Sequence, residues 1–470
     1  MGIILSLVAL SIAFVGGLGV VLLVRPCTPQ PDICGVCGTA FILGAGLVSL
    51  SSFCLGFLIQ GVPLRCAVTA ICLGMAGYAW KRRSWALPDL SGLRLPAPQA
   101  IVLALVAAQV GFVTWLSLYR ESLGWDGLFN WESKARVAFL HGGAIPLQYY
   151  TSNYDFFHRS YPPLVPLLEA WIYGFLGRMD QSMIKLIGPY FYLAAALLLI
   201  SVANRTKQWC WSGIFVLLPF LLVPALAMGQ GSASSGYVDF PLSVVYVCAV
   251  VHCVEHWRTQ SVDSARLLGL SAALLAFTKA DGIVPLFCLT VAIVPLVVRE
   301  RNWKLGAWAI LPGFGLWRGW SAFMSSLGVP READFAGFTP AVFLSHVDRA
   351  GPLLVWTVEE LTALRRWSLL WPLVAAGLFY LIRGREKSRW YPWAATVCLP
   401  LLLYPCVFFF SAWNPVEAHV KIALPRLFVH IASAAALMAG VVFAEVMTPA
   451  ERLRSSRESD PPRNLRPPVR

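Results

Sequence analysis

A chain of 470 residues that is 58% hydrophobic and only 13% charged lies far outside the soluble norm of roughly 25% charged residues, and its mean hydropathy is +0.67. That excludes a large soluble domain and points to an integral membrane protein. The net charge of +13 is poor support for nucleic-acid binding, because Lys and Arg gather in short runs beside apolar stretches and in the C-terminal tail, where topology determinants sit.

Apolar runs of about 17–25 residues, enough to cross roughly 30 Å of hydrocarbon, make the chain helical and polytopic rather than a barrel. In chain order, thirteen spans are expected at 3–24, 37–60, 64–80, 99–119, 184–203, 212–229, 238–257, 265–280, 282–298, 303–322, 368–383, 392–411 and 424–446. The first has no basic leader and no small-residue cleavage site, so it reads as a retained span. The Cys34-x-x-Cys37 pair that follows has no second pair and no His beside it, and a metal reading there is weak.

Segment 161–177 is the ambiguous one. If it crossed, the basic loops RERNWK (299–304) and RGREKSR (383–389) would face the compartment opposite KRR (81–83). The positive-inside rule selects the other arrangement, with the N-terminus outside and the C-terminus inside. Pro162, Pro163, Pro166 and Glu169 crowd the first half of this short segment. It is expected to lie at the interface, with Trp171 and Tyr173 at headgroup level. Segment 339–366 reads as a second surface helix. The organisation is then a three-span extension at 1–98, a main membrane region at 99–446 with a large outer loop at 120–183, and a basic disordered cytoplasmic tail at 447–470. No internal repeat is visible, which counts against a transporter of duplicated halves.

The outer loops hold most of the uncommitted polar residues. Asp126, between Trp125 and Gly127 beyond the fourth span, is either a general base for a hydroxyl nucleophile or a capping aspartate in a turn. Asp239, in GYVDFPLSV, opens a later span from the same side and either caps the helix or lines a cavity. Two outward carboxylates can divide the roles of base and orienting group, or hold a divalent cation, and the metal is left unknown. Candidate substrate-binding residues are Lys134, Arg136, His158, Arg159, Tyr161, Lys279, His419, Lys421 and Arg426. Any one of the cations is as readily explained by snorkelling to headgroups. Their joint placement on the side depleted of positive charge raises the group above that background.

A span followed by an early loop aspartate (Asp126), the N-W-x-x-K-A-R run at 130–136, the Y-P-P-L-x-P-L-L run at 161–168, V-D-x-P-L at 238–242, T-K-x-D-G at 278–282 and P-R-L at 425–427 resembles the GT-C superfamily of membrane glycosyltransferases. The branch it looks most like includes protein O-mannosyltransferases and lipid A aminoarabinose transferases. The three spans before residue 99 are additional to the usual beginning, and the paired Asp-Glu of true protein O-mannosyltransferases is absent at 125–127.

The resemblance implies an all-α GT-C-like bundle of about thirteen transmembrane helices with interfacial helices in the first large outer loop. It also implies a sugar moved from a polyprenyl-phosphate donor to an acceptor hydroxyl on a glycan, lipid or protein at the outer face of a bacterial inner membrane. The family's first-loop aspartate maps onto Asp126 and its second acidic position onto Asp239. No nucleotide is expected, since no Gly-rich nucleotide loop is present. The rival readings are a transporter or flippase of a lipid-linked glycan intermediate, and an outer-face glycan polymerase or ligase.

Overall fold

The structure is a computed structural model that describes residues 1–25, 32–82, 97–120, 124–152, 158–205, 212–330, 334–383 and 387–447. The expected tail at 447–470 lies outside the described residues but for its first position. The described chain is helical throughout, with one isolated bridge between Phe335 and Ser411 and no strand. Among the described residues, nine helical stretches are long and apolar enough to cross a membrane. They coincide with nine of the thirteen expected positions.

The other four positions are helical but differ in character. Residues 212–229 break after Ser212–Leu221, which holds Pro219, and resume as a single turn. The helices at Val262–Thr278 and Leu370–Arg383 have 17 and 14 residues, short of the ~20 that span a bilayer upright. Trp303–Ser326 is long, but its apolar content is diluted by glycine, Lys304 and Arg318.

The first three helices, α1 (Gly2–Val24), α2 (Ile33–Leu55) and α3 (Val62–Arg82), form a close-packed group. Glycine is what permits the approach. A Cβ on Gly17 would lie 1.9 Å from the Ala40 carbonyl oxygen, and one on Gly44 would lie 2.0 Å from that of Ala13. Small residues at helix contacts in lipid serve this purpose, because association there rests on packing rather than on escape from water. Arg25 ties the end of α1 to Glu255 through contacts of 2.6 and 2.7 Å.

After α4 (Ala97–Tyr119) come the elements of the following loop: a π-helical turn at Asp126–Glu132, α5 (Ser133–Leu140) and α6 (Leu164–Leu176). The 161–177 segment, expected at the interface, is instead enclosed by protein as far as Tyr173. α6 packs on α1, α2 and α5, with Trp171 4% and Tyr173 0% exposed. The Trp171 indole donates to the Ala9 carbonyl at 3.0 Å, and Ser49 donates to the Leu164 carbonyl at 2.6 Å. The first two helices are therefore the wall against which α6 is seated.

α7 (Ile187–Arg205), α8 (Asp239–Thr259), α9 (Val262–Thr278), α10 (Ile283–Glu300) and the 32-residue α11 (Val416–Met447) form the centre of the bundle. α8 lies between α7, α9 and α11 and is buried almost throughout. Its two ends are chemically distinct, with Asp239 at one and Glu255 and Arg258 at the other.

Candidate active site

Four of the expected site residues meet at the Asp239 end of α8. Asp239 is 0% exposed and sits in the first turn of that helix. Its Oδ1 accepts from Lys279 Nζ at 2.8 Å and from His430 Nε2 at 2.7 Å, and its Oδ2 accepts from Arg426 Nε at 3.1 Å. A buried carboxylate is tolerated when it is paired and its lone pairs are satisfied, and these three donors do so.

Asp126 opens the π-helical turn after Gly124, whose φ of +67° favours glycine. One carboxylate oxygen accepts from Asn130 Nδ2 at 2.7 Å, one turn further on. The other pairs with Arg426 Nη2. Arg426 thus joins the two aspartates, and the loop residue lies at the same end of the bundle as the span residue. The Asp126 side chain keeps 15% of its surface exposed, where that of Asp239 keeps none.

Lys279 caps the end of α9 and also pairs with Asp281 at 2.7 Å. With three carboxylates against Lys279 and Arg426, the cluster has a formal charge of −1 when His430 is neutral.

Two residues that the sequence reading passed over complete the cluster. A carboxylate only accepts, so His430 carries a proton on Nε2 toward Asp239, and its Nδ1 lies 3.2 Å from the Tyr404 hydroxyl. The available signal was helical spacing, since His430 follows Arg426 by four positions and so shares its face of α11. Asn130 stands in the same relation to Asp126.

The remaining expected residues make other contacts. Lys134, 0% exposed, donates to the carbonyls of His158 (3.2 Å) and Tyr161 (2.9 Å) and lies 5.8 Å from the ring centres of Trp131 and Tyr149. Arg159 is buried and donates to the Tyr150 carbonyl at 3.3 Å. Arg136 pairs with Glu132, which also accepts from Gln181 at 2.6 Å and Tyr173 at 3.2 Å. These contacts hold the outer loop together.

His158 stacks on Tyr161 at 4.6 Å, with Nε2 3.9 Å from Asp334. His419 bonds Ser411 at 2.8 Å and stacks on Trp413, whose indole donates to Asp334 at 2.8 Å. Asp334 therefore connects the loop after α4 to the start of α11. Lys421 is exposed and pairs with Glu417 on its own helix. No group of three His, Cys, Asp or Glu side chains able to hold a metal ion forms among the described residues.

The fold and this cluster define a helical, polytopic chain with a paired-aspartate, two-cation site at one end of its central helices. Compared with known proteins, the chain is similar to the lipid A galacturonosyltransferase RgtD of Rhizobium johnstonii, at 22% identity over 264 residues, 51% of this chain. The match spans about half the length of that relative (49%). No family model matches the chain, and no solved structure matches it significantly.

Proposed function

We propose that this protein is a GT-C-type membrane glycosyltransferase that moves a sugar from a polyprenyl-phosphate donor to an acceptor hydroxyl at the outer face of the membrane. The observation that carries the proposal is the bridge of Asp126 and Asp239 by Arg426, with Lys279 alongside. It sets a partly accessible carboxylate beside two cations, and glycosyl transfer from a lipid phosphate needs both.

In that reaction the acceptor oxygen forms a bond to the anomeric carbon as the bond to the phosphate oxygen breaks. The acceptor proton passes to Asp126, and the departing electron pair stays on the polyprenyl phosphate. Arg426 and Lys279 meet that developing charge, which fixed cations in a low-dielectric site stabilise strongly. Asp239, fully enclosed, has the orienting role: it holds Lys279 and Arg426 in place. The similarity to a lipid A galacturonosyltransferase favours a lipid-anchored glycan as acceptor.

The test is an Asp126→Asn variant expressed in a strain lacking the protein, with envelope glycans read by mass spectrometry. Loss of a glycan modification at normal protein abundance is expected. Undiminished modification would remove Asp126 from its role.

A further inference from the structure

Tyr237 has no part in the chemistry above, yet it touches Arg426 and the Gly124 turn that leads into Asp126. It lies two residues before Asp239 and is 5% exposed. The Arg426 guanidinium carbon stands 4.7 Å from the centre of its ring. At the other end of the side chain, the hydroxyl fills the space over Gly124, where a Cβ would fall 2.3 Å from the oxygen. Burial pushes the phenol up to about 12 while the Arg426 guanidinium pulls it down, so the hydroxyl keeps its proton at neutral pH.

We propose that Tyr237 is a positioning residue with two separable actions: its ring holds the Arg426 guanidinium for the donor phosphate, and its hydroxyl holds the turn that carries Asp126. This rests on the glycosyl-transfer reading. A guanidinium anchored at Nε alone can swing about its stem, and a phosphate that draws Nη2 away from Asp126 would leave it in that state. A flat aromatic face confines it to one plane, in which its remaining N–H groups meet an incoming anion. The hydroxyl acts on the other partner. It seats the left-handed Gly124 turn, and the placement of the base follows from that turn.

Full-length wild type, Tyr237→Phe, Tyr237→Leu and Arg426→Ala, purified in detergent, are titrated with farnesyl phosphate by tryptophan fluorescence. Transfer is followed in cells as the rate at which modified envelope glycan appears. Tyr237→Phe keeps the ring, so it should bind within about twofold of wild type, yet transfer roughly tenfold more slowly because the base is loosely held. Tyr237→Leu should bind about 5- to 30-fold more weakly, the range set by loss of a desolvated cation–π contact.

Wild-type binding by Tyr237→Leu, with binding lost in Arg426→Ala, would overturn the role of the ring and leave the donor reading intact. Equal losses of binding and transfer in the Phe and Leu variants would overturn the separation of the two actions. Failure of wild type to bind farnesyl phosphate would remove the donor reading and this proposal with it. Should the Leu variant not fold, the split between binding and transfer in Tyr237→Phe still decides.

Discussion

Asp126 and Asp239, one from the loop after α4 and the other from the first turn of a buried helix, converge on the same guanidinium, that of Arg426. The pairing makes Asp126 and a donor phosphate competitors for one cation. Asp126→Asn should lower transfer by ~10² to 10⁴, the usual value of general-base help, and at the same time tighten binding of farnesyl phosphate. Titration of the purified variant checks this. Weaker binding than wild type would mean that the carboxylate assists the anion rather than competing with it.

Asp239 carries a different expectation. Replacing it with Asn leaves Lys279 and Arg426 buried with one carboxylate fewer, and breaking a buried pair from one side costs about 3–5 kcal/mol. Asp239→Asn should therefore reduce the folded fraction as well as activity. Asp239→Leu combined with Lys279→Met should recover thermal stability without recovering transfer. Unfolding curves in detergent read the first quantity and glycan mass spectrometry the second. An Asp239→Asn protein that melts like wild type would show that the cluster does not need its charge.

The loop after α4 contains a second buried acid, whose effect depends on pH. Glu169, in α6, is 4% exposed and its Oε2 has no hydrogen-bond partner. Burial first, and then the charge of Glu132, push its carboxyl well above the ordinary glutamate range, against a smaller pull from Arg136. Because the folded-state pKa is raised, the unfolded chain releases this proton first, and stability falls as pH climbs from about 4.5 toward the folded value. Melting temperature in detergent should drop between pH 5 and pH 8 for wild type. Glu169→Gln, which is neutral throughout, should flatten that dependence, and an unchanged slope would refute the assignment.

Lys421 provides a contrast with the buried cations. It stands on the surface, paired with Glu417 one turn away, and exposed pairs of this kind contribute little. Lys421→Ala should leave transfer and melting temperature as they are, whereas Arg426→Ala, one and a half turns further along α11, should abolish transfer. A clear loss of transfer in Lys421→Ala would extend the site to the helix entrance.

The N-terminal helices should respond to glycine changes out of proportion to their distance from the site. Gly44→Val places side-chain atoms where the Ala13 carbonyl oxygen already lies 2.0 Å from the position of a Cβ, so α1 and α2 cannot close. α6 then loses the wall formed by Ala9 and Ser49. The expected result is low abundance and increased protease cleavage within residues 158–186, measured on membranes. Full abundance with an intact loop would show that α6 does not depend on this wall.

Much of the candidate site was legible residue by residue. Asp126, Asp239, Lys279 and Arg426 each stood out as an ionisable group at or near the end of an apolar run, where its cost in hydrocarbon demands a partner. Which of them meet was not legible. Lys134 and Arg159 looked like equally good phosphate ligands, but both donate to backbone carbonyls of their own loop. His430 was hidden by the apolar run around it, where only its spacing of four from Arg426 marked it.

By itself the amino-acid order determined that this chain is helical, that it belongs in a membrane and where most of its long spans begin and end, because hydrocarbon thickness and backbone satisfaction act on each segment separately. Only the tertiary structure decided that α6 is wrapped by protein rather than laid on the interface, since an apolar surface reads the same whether lipid or another helix covers it. It also decided that one guanidinium serves two aspartates. That contact depends on how the start of α8, the loop after α4 and the body of α11 are brought together, and no local pattern encodes that distance.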